Sequence, residues 1–204
     1  MPRFYTKPEL ARSLNHFPPI QRQALVTLLG DPENNTVGTA GTNVTAVEKV
    51  NGSIRQTTLT LAAVSQAVVN GTEYQSSKIY DFPLGVISIL SATFSIAQTT
   101  TSTIASTLNA SVTGAISLGS VAASNTSLTG TMVDVAPSTA FTSSATINVA
   151  GTAVSPATVT PTVLQGGATA SDLYVNTAYA TTTDVDADAT QTLSGTVTFT
   201  WTVQ

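Results

Sequence analysis

The chain has 204 residues, of which 42% are hydrophobic but only 9% charged and 6% aromatic, with a mean hydropathy of +0.22 and a net charge of −4. That much apolar material excludes intrinsic disorder, and the acidic balance argues against bulk nucleic-acid binding. Without cysteine there are no disulfides, thiolate metal sites or cysteine nucleophiles, and no stretch approaches the run of about 18–20 apolar residues that a membrane span needs.

Hydroxyl residues stand where charge is missing: 38 Thr and 21 Ser. Such a surface suits a protein that lives against other protein. The charges themselves are unevenly placed. All seven basic residues (Arg3, Lys7, Arg12, Arg22, Lys49, Arg55 and Lys78) precede Ile79, and the remaining 126 residues hold six Asp and no Lys or Arg. A basic lead segment on an acidic body is one form of docking arm.

In chain order, MPRFYTKPEL is basic but runs into no apolar stretch, so it does not read as a secretory signal. Pro18 and Pro19 suit a helix start, and Ile20, Ala24, Leu25, Leu28 and Leu29 then recur at helical spacing. Gly30 and Pro32 stop that helix, and residues 31–42 read as a Gly-, Asn- and Thr-rich linker. Residues 1–42 are therefore expected to form an N-terminal arm with a short helix, and residues 43–204 a separate domain.

From residue 43 onward the period is that of strands. Val44–Val50 and Ser53–Leu61 flank Asn51-Gly52, a hairpin signal, and Asn70-Gly71 repeats it after Val68-Val69. Val86–Ala97 alternates imperfectly, with Ile87 and Ile89 out of phase with Ala92, Phe94 and Ile96. Further strands are expected within 112–123, 130–135, 144–149, 157–164 and 172–180. Over Thr192–Val203, Leu193, Gly195, Val197, Phe199, Trp201 and Val203 share one face and Thr and Ser the other, the pattern of a half-buried strand. Many short strands with Gly and Pro between them predict an all-β domain, a jelly-roll-like sandwich or a barrel.

Catalytic patterns are missing. The sole histidine, His16, lies in the arm, and no nucleophile elbow, phosphate-binding Gly-rich loop or zinc-binding His pair occurs. Asp184, Asp186 and Asp188 open like a Ca²⁺ loop, but Ala189 and Gly195 stand where that loop needs Gly and Glu. They read as a solvated acidic turn. The expectation is a non-enzymatic protein with no cofactor and no metal.

Three stretches carry a resemblance: KIYDFPLGVISILSATFSIA (78–97), VDVAPSTAF (133–141) and GGATASDLYVNTAYATTTDVDADATQTLSGTVTFTW (166–201). They are similar to small virion proteins of tailed bacteriophages, the capsid decoration (cement) or minor structural proteins. The resemblance implies a β-sandwich or barrel on the capsid surface, self-associated as a dimer or trimer, with a terminal arm reaching a neighbour. The implied partner is the major capsid protein of the same particle, with neither nucleic acid nor membrane involved. On this reading Arg3, Phe4, Tyr5, Lys7, Arg12 and Arg22 grip the shell. The alternative is a head-fibre or adhesin-type module that binds a receptor or glycan.

Overall fold

The computed structural model describes residues 38–51, 53–100, 113–142, 146–154, 162–166, 170–180 and 188–203. The helix expected before residue 30, and Asp184 and Asp186 of the acidic turn, lie outside these residues. What is described is a β-sandwich of two antiparallel sheets, neither of which closes on itself, so the barrel alternative falls away.

The strands in chain order are β1 (Thr39–Ala40), β2 (Val44–Asn51), β3 (Ile54–Val68), β4 (Tyr74–Asp81), β5 (Gly85–Thr100), β6 (Thr113–Gly119), β7 (Ala136–Thr142), β8 (Thr146–Val154), β9 (Thr162–Gly166), β10 (Asp172–Tyr179) and β11 (Ala189–Val203). Sheet A runs β1-β4-β10-β6-β7. Sheet B runs β2-β3-β11-β5-β8, with β9 pairing the other half of the β5 edge. The chain crosses between sheets repeatedly, and the C-terminal strand β11 is the centre of sheet B, bonded to β3 on one side and β5 on the other.

Alternation places the core. Leu193, Val197, Phe199 and Trp201 of β11 are buried, as expected from their common face. The broken alternation of β5 has a structural cause. Thr200 pairs with Ser91 and Trp201 with Ile89, so Leu90 is an extra residue in the ladder. This bulge shifts the phase, and Ile87 and Ile89 point into the core along with Ala92, Phe94 and Ile96. In β3, Ala62 and Ala63 together oppose Ser194, with Ala63 at φ +55°. That bulge keeps Leu59 and Leu61 inward before it and Val64, Gln66 and Val68 inward after it.

Several local expectations are corrected. Asn51 is the last residue of β2 and pairs with Ile54, so the β2–β3 turn lies one position later than Asn51-Gly52. Asn70-Gly71 is not a hairpin turn. Thr72 N donates to Val69 O at 2.9 Å with Gly71 at φ +72°, and this turn carries the chain from sheet B to sheet A. Residues 130–135 form no strand: Gly130 has φ +60° and opens a 3-10 turn over Gly130–Met132, and the strand begins only at Ala136. Thr39–Ala40, inside the expected linker, pairs with Tyr80 and Asp81 of β4.

The space between the sheets has an aromatic end and a polar end. At the first, Tyr80, Phe82, Phe199 and Trp201 meet edge to face with ring centroids 5.2–5.5 Å apart, the geometry that aromatic quadrupoles favour. Trp201 Nε1 donates to Thr57 Oγ1 at 2.8 Å, so its one polar group is satisfied. At the other end the inward positions hold glutamines. Gln98 Nε2 donates to Tyr179 OH and to Gln191 Oε1, both at 2.8 Å, and Tyr179 OH donates to Gln191 Oε1 at 2.5 Å. Gln191 Nε2 donates to Gln66 Oε1, which also accepts from Thr177 Oγ1 at 3.1 Å. Gln66 Nε2 closes the chain on Val175 O at 3.2 Å. These bonds tie β3, β5 and β11 of one sheet to β10 of the other. Burial pushes the Tyr179 hydroxyl far above its ordinary pKa, keeping it a neutral donor.

The two outer faces differ. Sheet A is covered by residues 120–135, which pack Leu128 and Met132 onto Ala178. Asn176 pins this cover: its Nδ2 donates to Val121 O at 3.0 Å and Met132 O at 2.9 Å, and its Oδ1 accepts from Ser76 Oγ and Ala123 N. Among the described residues sheet B has no such cover, and Thr60, Thr93, Ser95 and Thr196 stand exposed on it.

Candidate functional site

The residues expected to grip a partner (Arg3, Phe4, Tyr5, Lys7, Arg12 and Arg22) all lie outside the described residues. The structure does define where their segment joins the body. Gly38 N donates to Tyr80 OH at 3.0 Å, β1 pairs with the end of β4, and Gly41 N donates to Ile79 O at 2.9 Å. The junction therefore sits at the edge of sheet A, over the aromatic end of the core. Burial, followed by the field of Glu48, pushes the Tyr80 hydroxyl up to about 12, so it stays protonated at the junction.

Two charged groups flank this point. On β2 and β3, Glu48 Oε1 meets Arg55 Nη1 at 2.5 Å, with side-chain exposures of 6% and 11%. The Arg55 guanidinium lies 5.5 Å from the centre of the Trp201 ring, a cation–π distance. Glu48 Oε2 is buried and has no hydrogen-bond partner. The pair covers the tryptophan, and the guanidinium offsets the carboxylate that burial would otherwise penalise.

The second group is a cross-strand acidic pair. Asp81 and Asp172 are direct partners in the β4–β10 ladder, so two carboxyls lie side by side on the outer face of sheet A. Lys78 Nζ reaches Asp81 Oδ1 at 2.8 Å and Asp172 Oδ1 at 3.7 Å, and Tyr174 OH donates to Asp172 Oδ2 at 2.7 Å. The hydrogen bond from Asp172, then the ammonium of Lys78, holds the Asp81 carboxyl below its usual range. Desolvation, then the proton shared with Asp81, holds Asp172 above it. A groove of about 490 Å³ lined by Thr42, Asn43, Ser65, Ser77, Lys78 and Asp81 runs beside the pair.

The pair predicts an observable pH dependence. Asp172, whose folded pKa is raised, contributes stability that is full below its ordinary pKa and lost as pH rises through the raised value. Asp81, whose folded pKa is depressed, contributes stability above its ordinary pKa that is lost as pH falls through the lowered value. As pH rises through the raised value, the cost of a second charge beside Asp81 falls on Asp172. Asp172→Asn keeps an acceptor for Tyr174 and removes that cost, so its melting temperature should exceed wild type by about 1–3 °C near pH 7. The gain should vanish at about pH 3, where the wild-type carboxyl is protonated. Melting curves at the two pH values check this, and a variant less stable than wild type at pH 7 would refute it.

Of the three aspartates in the expected acidic turn, only Asp188 is described. Its Oδ1 accepts from Asn70 N at 2.8 Å and so braces the β3–β4 corner. Among the described residues no three His, Cys, Asp or Glu side chains come together as a metal site. Ser120 N and Oγ donate to Asp134 at 2.8 and 2.6 Å, an arrangement that fixes the start of the cover over sheet A.

Sequence reading missed both flanking groups. Asp172 and Tyr174 have the spacing that puts them on one face of a strand, but their apposition to Asp81 depends on a ladder between residues 91 positions apart. Glu48 and Arg55 are diagonal neighbours across the β2–β3 ladder, where Glu48 pairs with Thr57 and Arg55 with Val50, so their contact depends on where the turn falls. No protein family, no curated protein and no solved structure matches the chain.

Proposed function

We propose that this chain is a structural virion protein that decorates or cements a capsid shell. Its N-terminal segment binds the major capsid protein of the same particle, and its β-sandwich rests on the capsid surface, associated with further copies of itself. The protein is not an enzyme on this reading. The carrying observation is the division of charge: four of seven basic residues fall in the first 22 positions, ahead of a body with no Lys or Arg after residue 78. The junction at Gly38 fits the reading, because it hangs that basic segment from an outer strand of the sandwich.

A head-fibre or adhesin-type module would need exposed aromatic rings on which a sugar could stack. Among the described residues, Tyr80, Phe82, Tyr179, Phe199 and Trp201 are instead at most 1% exposed and committed to the core, and only Tyr74 and Tyr174 are half-buried. This favours the cement role.

Copy number tests the reading. Quantitative mass spectrometry of the purified source particle should find this chain in a fixed, high ratio to the major shell protein. A handful of copies per particle would point to a fibre, and absence from the particle would overturn the virion assignment.

A further inference from the structure

The outer face of sheet B has a composition unlike that of an ordinary solvated sheet. Its rows run across the strands by register: Thr45, Thr60, Thr196 and Ser95 form one, and Val47, Thr58, Thr198 and Thr93 the next. Among the described residues of this face the one ionisable group is Lys49, on the edge strand β2. Antiparallel sheets with one face in water usually carry charge there, and edge strands especially so. Residues 120–135 cover sheet A, whereas among the described residues no segment packs over this face, where Thr60, Thr93, Ser95 and Thr196 are exposed.

We propose that the exposed face of sheet B is a self-association surface, on which a second copy of this chain stacks its own sheet B about a two-fold axis. Three physical arguments select a second copy as occupant. First, a hydroxyl is both donor and acceptor, so a Thr and Ser field can hydrogen-bond to an identical field, as a Lys-rich or Asp-rich face cannot. Thr58 and Thr198 already pair in this way within the sheet, with Oγ1 atoms 3.2 Å apart. Second, residues 79–204 carry six Asp and no Lys or Arg, and none of those carboxylates lies among the described residues of this face, whose one charge, Lys49, is on the edge strand, so stacking it sets no acidic groups against each other. Third, the size is adequate. From strand spacings the face is roughly 33 Å by 19 Å, a footprint of about 600 Å², whose corrugated surface approaches the ~800 Å² per partner of a standard interface. Val47, 61% exposed on β2, adds an apolar contact at its border.

This inference deepens the structural-protein reading by naming the self-contact, but its test needs no particle. Sedimentation velocity of the purified full chain should show a dimer that dissociates on dilution. Thr196→Lys places two ammonium groups across the axis region and should weaken the dimer at least about tenfold. Thr93→Lys, on a different strand, should do the same, which guards against one variant failing to fold. Thr126→Lys adds the same charge on the covered side of the molecule and should leave the dimer unchanged. Wild-type protein that stays monomeric up to about 0.5 mM, weaker than an interface of this size sustains, overturns the inference. So does a dimer that survives both face variants, since it must use another surface. Either result leaves capsid binding by the N-terminal segment to be judged on its own measurement.

Discussion

Gly195→Ala should destabilise the protein by on the order of 3–5 kcal/mol, enough to unfold a marginal domain. Gly195 sits in β11 at φ +140°, a conformation that residues with a Cβ rarely adopt. A methyl group there would also overlap the Ser95 carbonyl oxygen of the neighbouring strand, a backbone atom that cannot swing aside. The position lies beside the Ala62–Ala63 bulge, where Ala63 N donates to Ser194 Oγ at 3.1 Å and Ala62 N to Asn43 O at 2.9 Å. The strain therefore reaches the centre of sheet B, with β3 on one side and β5 on the other. Gly71→Ala is the matched control. Gly71 also has positive φ, +72°, but a Cβ there meets nothing within 4 Å, so only the conformational cost of about 1–2 kcal/mol applies. Urea denaturation of the two variants separates these terms. A Gly195→Ala protein no less stable than Gly71→Ala would contradict the pairing of β11 with β5.

The parts of this fold legible in the sequence were those governed by a local period. β11 could be read because Thr and Ser alternate with Leu193, Val197, Phe199 and Trp201 over its length. β5 was legible as a strand but not in phase, since one extra residue, Leu90, moves the inward set by one position. The Asn70-Gly71 turn was visible, but which sheet the chain enters next depends on distant partners. Residues 130–135 alternate like a strand, yet Gly130 bends the chain and Met132 serves the cover over sheet A. The glutamine layer had a clue that polarity concealed: Gln66 lies between Val64 and Val68 at the inward spacing, and Gln98 and Gln191 follow Ile96 and precede Leu193 in the same phase. Polar residues at inward positions depend on neighbours that supply bonds, and here those neighbours come from four strands, which leave only Gln98 Oε1 of the layer without a partner.

The candidate site divides in the same way. The basic residues of the N-terminal segment are conspicuous in sequence because no Lys or Arg follows residue 78. The groups at its junction with the body arise from cross-strand register. The Asp81–Asp172 pair and the Glu48–Arg55 pair join residues whose own neighbours in sequence say little about them.

Binding of a truncated chain to the parent capsid tests the central claim most directly. Deleting residues 1–30 keeps Gly38, β1 and every described hydrogen bond, because the described body begins eight residues later. Its melting temperature should therefore match that of the full chain, while affinity for capsids stripped of this protein should fall by on the order of 100-fold. Arg3→Ala with Phe4→Ala in the full chain should reproduce much of the loss, since Arg and aromatic anchors dominate such contacts. The charged share of the affinity should also weaken as salt is raised. A truncated protein that stays folded and binds capsids at full strength would contradict the account, as would one that no longer folds, which would make the segment part of the core.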